Sequence, residues 1–374
     1  MQKKLHSVFG PSAGFKSVPW LPNGDAHTIY ASLGNFELVD RIDYERYSDS
    51  QLRGWLSGLD ISPPSSVKSF QPGEPIIFVT HGLTGGSNES YVRAVLAPLT
   101  APKERGGLGM RAVVQNSRGC NRLPILTPKL YNACTTDDIR HAVLWISKTF
   151  PGSPIYGIGF SLGSNAITDY TGEEGDTCPL AACVSVANPF DFVAANKHIE
   201  THSLMTKYVY NYALGGALQA LLARHQRVFL DSPDSLIPHD DLVKYLQARS
   251  VTLRDFDELA TKNVFGYKDA YDYYAHASSS RFVERIRIPY LGLNALDDPI
   301  TGRHTLPETQ ARMNPWVLLV RTKHGGHLGW FEYAPDGSLR RWYVQPVREW
   351  LEALIEVRNT LCLWERRRFK ILRL

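Results

Sequence analysis

The chain has 374 residues, 43% of them hydrophobic and 21% charged, with a formal net charge of +4. That composition belongs to a globular protein with enough apolar material for a large core. The charge is small for the length and no Lys/Arg stripe interleaved with aromatics occurs, which argues against nucleic acid as a partner.

The first twenty residues, MQKKLHSVFGPSAGFKSVPW, begin with basic residues but contain no apolar run of signal-peptide length. No segment approaches the ~20 apolar residues that a spanning helix needs. The five cysteines, Cys120, Cys134, Cys178, Cys183 and Cys362, show no CxxC spacing. Neither a disulfide framework nor a structural zinc site is therefore expected. The reading is a cytoplasmic protein, at most peripheral on an intracellular membrane, and one that needs no cofactor or metal.

Residues 1–70 read as an N-terminal extension with the first strands, irregular and closing on the linker-like Ser62-Pro63-Pro64-Ser65-Ser66. Apolar, β-branched runs then alternate with helical patterns. Ile76-Ile77-Phe78-Val79 and Ala112-Val113-Val114 predict buried strands. A helix is predicted from Thr136, which would cap it, with Asp137 and Asp138 at its positive end and Ile139, Val143 and Ile146 on one face. Further strands are predicted at Ile155–Ile158, Ala182–Val186, Tyr290–Leu293 and Val317–Val320, with a last helix near Val347–Val357. Fully apolar strands alternating with helices predict an α/β fold: a mostly parallel central sheet with helices on both faces. That core would span residues 71–187 and 286–374. Residues 188–285 break the alternation and read as an inserted helical cap.

Gly159-Phe160-Ser161-Leu162-Gly163 fits G-x-S-x-G, with an apolar strand before it and a helix-compatible stretch after it. This turn lifts a serine out of a strand end and into a helix N-terminus. A dinucleotide fingerprint starting at Gly157 fails, because its last glycine would fall on Leu162. A serine hydroxyl needs a base, and the base needs an orienting acid. The C-terminal third supplies both beyond strand ends, in Asn294-Ala295-Leu296-Asp297-Asp298-Pro299 and His324-Gly325-Gly326-His327. Asp298 is preferred as the acid, with Asp297 left to cap the following turn. His327 is preferred as the base because two glycines let its loop bend back, with His324 ending the strand. A metal role for the two histidines lacks a third ligand at suitable spacing. The oxyanion donors would be the backbone N–H groups of Leu162 and of Leu83, the latter in His81-Gly82-Leu83-Thr84-Gly85-Gly86. The missing Gly-Lys-Ser/Thr excludes a P-loop, and His81 reads as structural.

These stretches resemble the YheT-like branch of the α/β hydrolases, also called AB hydrolase family 4. The resemblance rests further on Pro22-Asn23-Gly24 with Thr28-Ile29, Asn116-Ser117-Arg118-Gly119-Cys120, Asn188-Pro189-Phe190-Asp191, Phe265-Gly266-Tyr267 with Tyr273-Tyr274, and the residues from His324 to Trp330. It runs from about residue 20 to 345. The branch includes fungal medium-chain fatty acid ethyl ester synthase/esterases, and the likeness implies the α/β-hydrolase fold with Ser161, Asp298 and His327 as nucleophile, acid and base. Ester hydrolysis is the first expectation, on medium-chain acyl esters or acylglycerols. Passing the acyl group from a thioester to an alcohol is the second, and a non-catalytic binding protein on the same fold is the third.

Two segments bear on the substrate. The cap aromatics Phe190, Phe192, Tyr208, Tyr210 and Tyr212 are expected either to line an apolar acyl site or to pack between helices. The tail from Leu351 to Leu374 carries Leu361, Leu363, Trp364, Phe369 and Leu372 among the basic residues Arg366, Arg367, Arg368, Lys370 and Arg373. It reads as a peripheral membrane contact or as a terminal helix packed on the core.

Overall fold

The computed structural model describes residues 4–11, 13–47 and 58–371, with side chains described as far as residue 360. The apolar tail side chains from Leu361 onward, and Cys362 among them, lie outside the described side chains. The terminal helix itself runs Val344–Ile371. Among the described residues no helix is long and apolar enough to cross a membrane.

Eight strands form one sheet in the order β1-β2-β4-β3-β5-β6-β7-β8. The strands are Glu45–Tyr47 (β1), Gly58–Ser62 (β2), Ile76–Thr80 (β3), Arg111–Asn116 (β4), Ile155–Phe160 (β5), Leu180–Val186 (β6), Tyr290–Ala295 (β7) and Val317–Thr322 (β8). From β4 to β8 every pairing is parallel, while β1 and β2 run antiparallel at one edge. The apolar runs become strands because both faces are covered. Ile77, Val79, Ile158 and Phe160 point to a face closed by Val95, Leu99, Val347 and Leu351. Ile76, Phe78 and Ile155 point to the other, under Ile139, Val143, Ile146 and Ile167.

The N-terminal part is more ordered than its composition suggests. Gly24–Leu33 is a helix whose N-cap Asn23 accepts a bond from the Ala26 N–H at 3.0 Å. Leu5 is fully buried in the main core. The segment before the proline pair is the buried strand β2, not a linker. Leu59 and Ile61 join the core, and the buried Asp60 is held by Arg46 and Ser87. The prolines end that strand instead of linking domains. The helix Thr136–Thr149 begins as expected, but no side chain caps it, and Asp138 instead binds Arg118 at 2.6 Å.

Between β6 and β7 the chain is helical, with helices at Phe192–Thr201, Asn211–Arg224, His239–Gln247 and Ala270–Ala277 and π-helical turns at Thr206–Tyr210 and Asp257–Thr261. Leu218, Leu221, Leu222, Phe229 and Phe256 of this stretch share an apolar cluster with Cys120, Ile125 and Leu130 of the loop after β4. The chain leaves β3 toward β4 and then returns past it to β5. The carboxyl ends of β3 and β5 therefore flank the crevice where ligands bind in open parallel sheets.

Candidate active site

β5 ends at Phe160 and the next helix starts at Leu162, so one residue must turn the chain. Ser161 does so at φ 52° and ψ −119°. A non-glycine residue there costs roughly 1–3 kcal/mol and persists only where packing enforces it. The enforcement is close packing: a Cβ on Gly163 would collide with the His81 carbonyl oxygen and lie 2.5 Å from that of Thr80. Only a glycine lets the helix start this near β3.

The Ser161 Oγ lies 2.7 Å from His327 Nε2, and His327 Nδ1 lies 2.8 Å from Asp298 Oδ2. Asp298 is a carboxylate acceptor, so Nδ1 carries the proton and Nε2 is left to accept the serine hydroxyl. The other carboxylate oxygen of Asp298 accepts the N–H groups of Ile300 at 2.8 Å and Thr301 at 3.0 Å. Burial alone would raise the pKa of Asp298; the charge and hydrogen bond of His327 and these two N–H groups outweigh it and hold the carboxyl below its ordinary range. The turn cap expected of Asp297 thus falls on Asp298. Asp297 instead accepts the Gly326 N–H at 3.0 Å and meets His324 Nδ1 at 3.0 Å, in a half-exposed pair beside the buried one.

Thr28 completes the histidine loop. Its hydroxyl accepts the His327 N–H at 2.8 Å and donates to the Gly24 carbonyl at 2.7 Å. No chemical signature in the sequence marks Thr28; its one hint was membership of a matching stretch.

The loop after β3 is fixed at every position around Leu83. His81 Nδ1–H donates to the Gly82 carbonyl at 2.7 Å while Nε2 accepts the Ser117 N–H at 3.0 Å. The Gly82 N–H donates to the Tyr91 hydroxyl at 2.9 Å, and the Thr84 N–H to that of Tyr131 at 2.7 Å. Among the described residues no acceptor lies on the N–H of Leu83 or on that of Leu162, the first of its helix. Both leucines border the same cavity as Ser161 and His327.

That cavity holds about 1250 Å³ out to its open mouth. Its walls are mainly apolar, with Leu130, Ile199, Leu214, Leu218, Leu253 and Phe256 among them. Of the five cap aromatics expected there only Phe192 lines it. Phe190 is buried in the fold, Tyr208 is exposed, and Tyr210 donates its hydroxyl to Asp25 at 2.9 Å. The wall is built instead from helix positions whose leucines look in sequence like ordinary core. One carboxyl group sits in it: buried Asp257, whose pKa burial pushes up to about 7.

Residues 75–333 match the alpha/beta hydrolase fold family. The chain is 40% identical over 367 residues to a monoacylglycerol lipase of Saccharomyces cerevisiae, covering 89% of this chain and 79% of that one. It is 31% identical over 290 residues to YheT of Escherichia coli, covering 76% of this chain and 79% of that one. The chain belongs to the α/β-hydrolase family, in its YheT-like branch. A medium-chain fatty acid ethyl ester synthase/esterase of Saccharomyces cerevisiae is a further relative, 31% identical over 297 residues, with 76% of this chain and 63% of that one covered.

Proposed function

We propose that this chain is a carboxylic ester hydrolase working through an acyl-enzyme on Ser161. His327 takes the proton of the Ser161 hydroxyl as Oγ attacks the ester carbonyl, and Asp298 stabilises the imidazolium that forms. The Leu83 and Leu162 N–H groups receive the developing oxyanion. His327 then protonates the leaving alcohol, and water, deprotonated by the same ring, releases the acid. The reading rests on one observation above all: the continuous hydrogen-bonded line from Ser161 to His327 to Asp298 at the floor of an apolar cavity. Medium-chain acyl esters or acylglycerols suit those walls and agree with what the yeast relatives are named for.

A fluorophosphonate probe tests this directly. Wild type should label and should cleave p-nitrophenyl decanoate, whereas Ser161→Ala should do neither, its turnover falling by about 10⁶-fold. Wild type that stays unlabelled would sink the reading.

The second reading sends the same acyl-enzyme to an alcohol in place of water. What favours it is the apolar lining, which disfavours water at the acyl-enzyme. Ethyl decanoate formed from decanoyl-coenzyme A and ethanol, against free decanoate, measures the partition. Free acid alone at every ethanol concentration rules the transfer out.

A further inference from the structure

Away from Ser161 and His327, the apolar cavity carries a polar patch on its cap side. Asp257 and Thr261 come from the π-helical turn Asp257–Thr261, Tyr274 from the helix Ala270–Ala277 and Asn196 from the helix Phe192–Thr201; all four border the cavity. Single π-turns inside α-helices often mark functional positions. Asn196 lies one turn after Phe192, whose ring centre is 6.5 Å from that of Tyr273. It lies one turn before Glu200, which pairs with Arg254 at 3.3 Å. Its side chain is thereby carried on the helix face turned toward the helix Ala270–Ala277 and the cavity.

The bonding of this patch is incomplete in a specific way. Asp257 accepts Thr261 Oγ1–H at 2.7 Å on one oxygen and the Tyr274 hydroxyl at 2.9 Å on the other. A carboxylate has about four acceptor positions, so half of its capacity is unused. Asn196 is 4% exposed and its Nδ2 has no hydrogen-bond partner. Buried polar groups are almost always bonded, and an exception in a native fold calls for a partner. An unused donor and an unused acceptor on the walls of one apolar cavity match a group that accepts and donates at once. A hydroxyl is such a group; an ether, an ester carbonyl or a methylene is not.

We propose that Asn196 and Asp257, the latter held by Thr261 and Tyr274, form a hydroxyl-binding subsite that selects esters carrying a free hydroxyl. Asn196 Nδ2 donates to the substrate hydroxyl oxygen and that hydroxyl donates to Asp257. The inference rests on the proposed ester hydrolysis at Ser161. The hydroxyl is supplied either by the alcohol part of the ester, as in a monoacylglycerol, or by the acyl chain itself.

Two pairs of substrates separate these sources: monodecanoylglycerol against propyl decanoate, and methyl 10-hydroxydecanoate against methyl decanoate. For wild type, Asp257→Asn and Asn196→Leu, kcat/KM is measured on both members of each pair. The hydroxylated-to-plain ratio is taken within one protein preparation, so a fraction of misfolded variant cancels. The subsite predicts a wild-type ratio above one in one pair, falling about tenfold in both variants and mainly through KM. The pair that responds identifies the source. Ratios near one in wild type, or ratios unmoved by both substitutions, overturn the subsite. Should wild type cleave none of the four, the ester-hydrolase reading fails instead. The subsite is then still read from the ratio of Kd values for 1-O-decylglycerol and decyl propyl ether. A tenfold preference lost in both variants supports it, and equal binding overturns it.

Discussion

Asp297 and Asp298 are chemically identical neighbours, and their surroundings separate them. Asp298 is 2% exposed, accepts the Nδ1–H of His327 and accepts two backbone N–H groups. Asp297 pairs with the half-exposed His324 and steadies the loop through Gly326. If Asp298 is the acid, Asp298→Asn puts an amide donor opposite His327 Nδ1, forces the ring proton onto Nε2 and removes the base that Ser161 needs. A kcat loss of about 10⁴-fold with little change in KM is expected. Asp297→Asn should stay within about tenfold of wild type. Steady-state kinetics of the two variants decide the assignment, and the reverse order of losses would transfer the role to Asp297.

The helix Gly24–Leu33 is the element that composition hid. Its surrounding segment is rich in Gly, Pro and Ser, and its own apolar pattern is weak, because its work is done by a cap, a hydroxyl and a close approach. A Cβ on Gly24 would collide with the Asp297 carbonyl oxygen, so the helix start touches the acid loop. One turn on, Thr28 holds the His327 backbone. By contrast the serine turn, the acid loop and the histidine loop were legible. Each couples a reactive side chain to a strand end and to glycines, and that combination is written locally. The cavity wall was not legible: Leu214, Leu218 and Leu253 face it because of how the helices between β6 and β7 pack on one another, which no local pattern encodes. Thr28→Val keeps the shape but leaves the His327 N–H without an acceptor, costing about 1–3 kcal/mol of stability. As a positioning residue it should lower kcat about tenfold at unchanged KM, with Thr28→Ser restoring most of the loss. Unchanged kcat in Thr28→Val would show that the loop holds its place without this bond.

Across the whole molecule, buried titratable groups pull stability in opposite directions with pH. Burial raises the pKa of Asp257 to about 7 and that of Asp169 well above its ordinary value; both take up protons on folding and favour the fold as pH falls. His81 runs the other way. It is buried, donates through Nδ1 to Gly82 and accepts the Ser117 N–H at Nε2, a bond that a second ring proton would abolish. Burial lowers its pKa to about 4, against a backbone bond and the Asp60 charge that raise it. An unfolded histidine titrates near ~6.5, so its contribution is complete above that pH and is lost as the pH falls toward 4. By pH 5 the loss amounts to about 2 kcal/mol from this residue alone. The opposing acids obscure that loss in wild type measured by itself, but they cancel in a comparison with His81→Asn. The difference in unfolding free energy between the two proteins, from urea titrations at pH 7.5 and pH 5, should shrink by about 2 kcal/mol. A constant difference would mean that His81 is not held neutral between β3 and the turn after β4.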